Sequence, residues 1–406
     1  MKLKQLATQA LVATLLPLGA NAQKKASIEW YGFVAAQSFF DSHKSTAGAE
    51  GFLYLYPNDE QMVNGVDVYE LPRASWFGTM ARVGFTLKGP EIFGAASRAK
   101  AEIEFSGHSQ SENHVLYRHA FMALDWDKSS LTLGQTWHPM NDLFPSTVSI
   151  AIGSPFNALN RSPQLRYEIY PDDNRNTKLT AAAIFQALNT SVGPDPDNEV
   201  KTVKNYDYIR YSMMPMFYLG ADFTLGDVKL GAGLEYQHIV PYIDALDGNR
   251  KYSLDGLTGM IQAQYAKDRF SVKGKALLGQ NMSHLGICSG YGRVASIERE
   301  YTPLTALSSW VQVQYGGNLK WGMFGGFMKN LGADKNLVAL YVNGGGHIDN
   351  MWRIAPNVQY SVGNMVLGCE YELTTVAYGV PEAKGTVTDT HNVSNHRLLL
   401  SVMYNF

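Results

Sequence analysis

The sequence predicts an all-β chain: a transmembrane antiparallel β-barrel of about sixteen strands, with long outer loops on one rim and short periplasmic turns on the other. Three observations carry that prediction. Residues 395–406 alternate, placing Leu398, Leu400, Val402, Tyr404 and Phe406 on one face of a strand and Arg397, Leu399, Ser401, Met403 and Asn405 on the other. Residues 1–22 hold Lys2 and Lys4, a short apolar run over 11–16, then Ala20-Asn21-Ala22, the pattern of a secretory signal peptide cut before Gln23. No later run reaches about 18 apolar residues, so an exported chain that enters a membrane must satisfy its backbone as a closed barrel. Finally, strand-like segments recur through residues 23–406, and their connections alternate between long and tight.

Taken in order, the first strand is expected over 28–40, followed by a long Gly/Asp/Pro-bearing connection over 41–75. Strands over 76–88, 98–107, 115–126 and 130–137 come next, the last pair joined by the tight turn Asp127-Lys128-Ser129. A long segment over 138–162 separates them from strands over 163–170 and 177–188, joined through Pro171-Asp172-Asp173-Asn174. Another long loop over 189–205 precedes strands over 206–225 and 228–240, with Gly226-Asp227 as the hairpin turn. Strands over 257–266, 270–280, 310–319, 321–331, 351–362 and 365–377 follow, and the terminal strand completes the count. A soluble sandwich has no reason to sort its connections into one long and one short set. No linker or composition shift divides residues 23–406, so a single barrel domain is expected.

Composition sets bounds. Removing residues 1–22 takes away two lysines and no acid, leaving 32 basic against 36 acidic side chains, a formal charge of −4. That balance, without a basic cluster, argues against a nucleic-acid partner. The 23 Tyr, 18 Phe, 7 Trp and 38 Gly suit interfacial girdles and a curved sheet. Cys288 and Cys369 lie in different elements, and both are expected free.

Alternation assigns faces. In 98–106, Arg98, Lys100, Glu102, Glu104 and Ser106 oppose Ala99, Ala101, Ile103 and Phe105. A charge facing lipid at the midplane costs about 2–4 kcal/mol, so the charged faces must line a lumen, and a barrel of this strand number is wide enough to hold water. Extended to the other strands, the rule turns Arg82, Arg98, Lys100, Arg118, Arg166, Lys178, Arg210, Lys229, Lys273, Lys275, Arg353 and Arg397 inward. Only Glu102, Glu104, Glu168, Glu235, Glu370 and Glu372 face them. An excess of guanidinium and ammonium groups on such a wall lowers the barrier for anions. Pairing between neighbouring strands is the alternative role for any one of them. The segment 138–162 is unusually apolar for an exposed loop. Its Phe144 and Phe156 favour folding into the barrel, with Asn141, Asp142, Ser146, Thr147, Asn157, Asn160 and Arg161 as polar contacts.

With these residues in hand, a resemblance can be stated. The terminal strand ending in Phe406 resembles the C-terminal strand of Gram-negative outer-membrane barrels. The whole mature chain resembles the trimeric porins of that membrane, and Gly-Gln-Thr-Trp-His-Pro-Met-Asn-Asp-Leu-Phe-Pro over 134–145, with Asn-Arg-Ser-Pro-Gln-Leu-Arg-Tyr over 160–167, is similar to the DcaP-like group. No coiled-coil extension precedes the first strand, which departs from that group's pattern. The resemblance implies an in-folded third loop, a homotrimer in outer-membrane lipid and lipopolysaccharide, and passive diffusion of small hydrophilic solutes, anions such as small carboxylates above all. No cofactor or metal is implied.

Enzymatic signatures are missing: there is no Gly-x-Ser-x-Gly, His-Glu-x-x-His, phosphate loop or dinucleotide fingerprint. An adhesin or receptor binding partners through long loops is the non-enzymatic alternative, and an outer-membrane hydrolase the enzymatic one. The densest histidines, His108, His114 and His119, lack a ligand spacing.

Overall fold

The structure is a computed structural model that describes residues 26–105, 115–187, 189–296 and 298–406. The segment read as a signal peptide, with His108 and His114, lies outside the described residues. Sixteen antiparallel strands close into one barrel. In chain order they are β1 (Ser27–Asp41), β2 (Arg73–Ile92), β3 (Ala95–Phe105), β4 (Val115–Asp125), β5 (Ser129–Trp137), β6 (Arg161–Ile169), β7 (Thr177–Ile184) and β8 (Met216–Leu225). They continue as β9 (Val228–Asp244), β10 (Arg250–Lys267), β11 (Phe270–Gln280), β12 (Thr305–Gly316), β13 (Leu319–Gly332), β14 (Ile348–Val362), β15 (Met365–Pro381) and β16 (Val387–Asn405). Each pairs with its sequence neighbours, and β1 closes the ring on β16, with Phe33 opposite Asn405 and Asp41 opposite Arg397.

All sixteen expected strands are present in the expected order, and their connections sort by rim. One rim has tight turns at Phe93-Gly94, Gly226-Asp227, Asp268-Arg269, Gly317-Asn318 and Gly363-Asn364; the other carries the long connections over 42–72, 138–160, 185–215 and 281–304. Alternation holds because the two faces meet different solvents. Leu398, Leu400, Val402, Tyr404 and Phe406 are exposed on the outside, while Arg397, Leu399 and Ser401 are buried inside. Exposed Trp30, Tyr315, Trp321, Tyr360 and Tyr404 ring the wall near the turns, in the manner of an interfacial girdle. The seam needs a glycine. Gly32 and Phe406 exchange both backbone hydrogen bonds at 3.0 Å, and a Cβ at Gly32 would sit 2.5 Å from the Phe406 ring.

Three strands start seven or more residues away from the expected position. β10 and β16 begin at Arg250 and Val387, well before residues 257 and 395, because strands on the loop rim rise beyond the apolar band. The 20 residues of β2 reach about 65 Å at 3.3 Å each, against a hydrocarbon core of about 30 Å. The third difference corrects the placement of Arg210. Residues Asp207–Arg210 form a helical turn in the connection between β7 and β8, and the strand starts only at Met216, after Pro215. Arg210 is exposed there beside Asp207 at 3.3 Å and is not on the barrel wall.

The wall is not the only place where apolar residues gather. Connections on the loop rim fold inward and build a core of their own, in which Tyr56, Tyr208, Leu285, Tyr291 and Tyr341 are buried with Met140 and Phe156. Their small sheets are Ser45–Gly48 with Leu53–Pro57, Val192–Asp195 with Asn198–Lys204, and Gly290–Val294 between Tyr301–Pro303 and Leu337–Val342. The interior of the loop-rim half is thus protein, and the wall's polar side chains there meet loop backbone.

Candidate functional site: the in-folded loop and the basic wall

Residues 138–160, between β5 and β6, cross the barrel interior and dock on the far wall. Ser146 is the most heavily held. Its N–H donates to Gln312 Oε1 (2.6 Å), and its carbonyl accepts from Gln312 Nε2 (2.8 Å) and Gln359 Nε2 (3.2 Å). Its hydroxyl lies 3.1 Å from Lys273 Nζ. Two residues on, the N–H groups of Val148 and Ser149 donate to Glu370 at 2.8 and 3.0 Å. The returning limb is bonded as well: Trp310 Nε1 donates to Asn157 Oδ1 (2.9 Å), and Arg353 Nη1 donates to Ser154 O (3.1 Å). These contacts reach β12, β14 and β15, across the ring from the strands that carry the loop. A loop so tied lies inside the barrel and not over its mouth.

The loop residues singled out from sequence divide by burial. Asn141, Phe156, Asn157 and Asn160 are fully buried and anchor the loop. Phe156 packs where Gly326 leaves room on β13, since a Cβ there would meet its ring. Asp142 faces the open interior, its carboxylate 2.9 Å from Gln262 Nε2 and 3.8 Å from Lys178 Nζ. Phe144 packs its ring 5.0 Å from Trp137, and the Thr147 hydroxyl donates to Ser149 O. Arg161 starts β6 instead of ending the loop. Its guanidinium stacks 4.4 Å over Trp137, in a cavity of about 290 Å³ that it shares with Arg82, Arg118 and Glu104.

The basic wall also divides. Arg82 and Arg118 are neutralised by Glu102 and Glu104, with Arg118 Nε 2.6 Å from Glu102 and Nη1 2.8 Å from Glu104. Arg98 pairs with Asp125 (2.6 Å) and Lys178 with Asp222 (3.0 Å). Arg353 and Arg397 are 2% and 1% exposed. They hold the first connection inside the barrel, Arg397 Nη2 donating to Gly51 O (2.7 Å) and Arg353 Nη2 to Leu55 O, with Tyr54 against both guanidinium groups. By contrast Lys100, Arg166, Lys229, Lys273 and Lys275 pair with no carboxylate among the described residues. Lys100 lies over the Tyr31 ring, Arg166 bonds Gln164 Oε1 and Trp137 O, and Lys275 Nζ bonds Met140 O. Lys229, Gln264, Lys273 and Gln312 are register partners in one row across β9 to β12.

One feature had no signal in the sequence. His138, Glu235 and His284 meet in the interior, drawn from β5's exit, β9 and the 281–304 connection. Cys288 is buried beside Tyr56, and burial pushes its thiol up to about 12; Cys369 is half-buried, and both are free. His119, the remaining described member of the sequence's histidine set, faces Thr136 Oγ1 at 3.2 Å.

A closed sixteen-stranded antiparallel barrel, greasy outside and with a loop tied across its interior, has the architecture of an outer-membrane channel. The crystal structure of the outer membrane channel DcaP of Acinetobacter baumannii is similar over 96% of this chain and 100% of that one, with a TM-score of 0.68 and 16% identity. Salmonella typhi OmpF in complex with daunomycin follows at a TM-score of 0.54 and 12% identity, covering 93% of this chain and 97% of that one. The in-vitro folded outer membrane protein OmpT of Vibrio cholerae, in its trimer form, is similar at 0.50 and 11%, covering 94% and 99%. No family model matches the chain, and no curated protein matches it.

Proposed function

We propose that the protein is a porin of a Gram-negative outer membrane, a passive diffusion channel for small hydrophilic solutes that favours anions such as small carboxylates. The observation that carries this reading is the 138–160 loop, tied from β5 across the lumen to β12, β14 and β15, because such a loop sets a size limit inside a water-bearing barrel. The bias toward anions rests on the four accessible wall cations that form no direct ion pair with a carboxylate among the described residues. Weak, successive contacts with Lys100, Arg166, Lys229 and Lys273 attract an anion without trapping it, whereas Lys275 is buried beneath the loop against Met140 O. In this reading residues 1–22 direct export, lipid and lipopolysaccharide surround the wall, and three copies assemble, as in the Vibrio cholerae protein solved in a trimer form.

The test is a planar bilayer containing the purified protein under a salt gradient. Ohmic channels whose reversal potential reports anion preference are expected. A cation-selective channel would overturn the anion reading, and a silent membrane would favour a loop-binding receptor.

A further inference from the structure

His138, Glu235 and His284 form the only group of three or more His, Cys, Asp or Glu side chains among the described residues whose ligand atoms converge, all within 4.8 Å of one another. They come from three separate elements. His138 follows β5 at the root of the in-folded loop, Glu235 points inward from β9, and His284 sits in the turn Met282–Leu285 of the 281–304 connection. All three are buried. His284 Nε2 lies 2.7 Å from Glu235 Oε1, and His138 Nε2 lies 2.6 Å from Glu235 Oε2.

The hydrogen bonding says what belongs between them. His284 Nδ1 lies 3.3 Å from the carbonyl of Asn281 and Nε2 lies 2.7 Å from Glu235 Oε1, both acceptors, so a single ring proton on Nδ1 leaves Nε2 bare toward the carboxylate. Its Nε2 lone pair then faces a carboxylate lone pair at 2.7 Å in a dry interior. In that tautomer a second proton or a metal ion between the two atoms relieves the opposition. On the other side, His138 Nε2 and Glu235 Oε2 are close but not aligned as donor and acceptor, and both atoms are buried without a hydrogen-bond partner. Convergence without hydrogen-bond alignment is what ligands aimed at a common centre look like. An imidazole whose far nitrogen donates to a backbone carbonyl is the usual second-shell arrangement of a metal-bound histidine.

We propose that His138, Glu235 and His284 form a binding site for a zinc-class divalent cation, which ties the root of the in-folded loop and the 281–304 connection to β9. Two imidazoles and one carboxylate suit Zn²⁺. With bonds of 2.0–2.2 Å, tetrahedral ligands stand about 3.3 Å apart, so the close pairs need to open by less than about 1 Å. His138 Nδ1 now accepts from Met140 N at 3.2 Å; metal capture at Nε2 puts the ring proton on Nδ1, so that long bond is given up and the ring turns its N–H away from Met140.

The experiment uses the full folded chain in detergent, stripped with a chelator and titrated with Co²⁺ and with Zn²⁺. Wild type should take up one equivalent of Co²⁺ with the intense visible absorption of a tetrahedral site, and Zn²⁺ should bleach it. Glu235→Gln and His284→Gln should each weaken Zn²⁺ binding by at least about tenfold, with folding checked by heat-modifiable gel mobility. Absence of the one-equivalent Co²⁺ signal in wild type overturns the proposal whether or not the variants fold. Binding that survives in both folded variants overturns it as well.

Discussion

The ties on Ser146, Val148 and Ser149 define the perturbation that most directly tests how the lumen is narrowed. Gln312→Ala removes two neutral hydrogen bonds to Ser146, worth about 1 kcal/mol each. Glu370→Ala removes the two bonds from Val148 and Ser149, worth about 1–3 kcal/mol each. The four anchors hold one short stretch, so their effects are coupled and fall short of the sum. Taking about 3 kcal/mol for the double variant, the released population of the loop tip rises about 100-fold. Gln359 and Lys273 still hold Ser146 in that variant, so release is transient and the barrel stays closed. Single-channel recordings in planar bilayers should therefore give noisier open levels and a broader, upward-shifted conductance distribution. Traces indistinguishable from wild type would refute the idea that these contacts set the constriction.

Three further outcomes are expected. Exchanging Lys100, Lys273 and Arg166 for Gln, which breaks no carboxylate pairing, should move the reversal potential toward zero, whereas Arg98→Gln should matter less because Asp125 already neutralises it; the salt-gradient measurement reads both. Arg397→Ala leaves a space beside Phe39 and Tyr54 while Asp41 keeps Arg73 and Asn395, and with the bond to Gly51 O lost it should destabilise the barrel by about 1–3 kcal/mol, read as a lower temperature of heat modification. The Cys288 thiol ionises at about 12 when buried and near about 8.5 in the unfolded chain, so the unfolded state loses its proton first and stability falls as pH rises above about 8.5. Accordingly a thiol reagent at pH 8 should label Cys288 only after unfolding, and rapid labelling of the folded chain would contradict its burial.

The wall was legible in the sequence, and the filling was not. Alternation in residues 395–406 locates Leu398 and Arg397 on opposite sides because lipid and interior demand opposite chemistry at every second position. The same alternation cannot tell a water-facing arginine from one covered by a loop. Arg353 and Arg397 follow the rule for side and yet meet Leu55 O and Gly51 O instead of solvent. The covering residues, Tyr54, Tyr291 and Tyr341, sit in strands of five or six residues inside the long connections, too short for a period to stand out. Arg210 lies off the wall because the strand begins only at Met216; the aromatic and apolar residues of 206–219 hide that boundary, and Pro215, which cannot donate to a sheet ladder, is its available mark. His138, Glu235 and His284 are distant in sequence, so only the closed ring brings them together.

Closure of the ring by β1 and β16 bears on how the molecule comes to exist. Residue 33 waits for residue 405, so the earliest segment to emerge finds one of its two neighbours only when the last has been delivered. Until then both margins of a growing, curling sheet carry unsatisfied amide groups, and oil would reject them. Insertion is consequently a late, concerted event in which those margins find each other before they meet oil, and losing even the few residues around Phe406 would unzip the product from the junction inward.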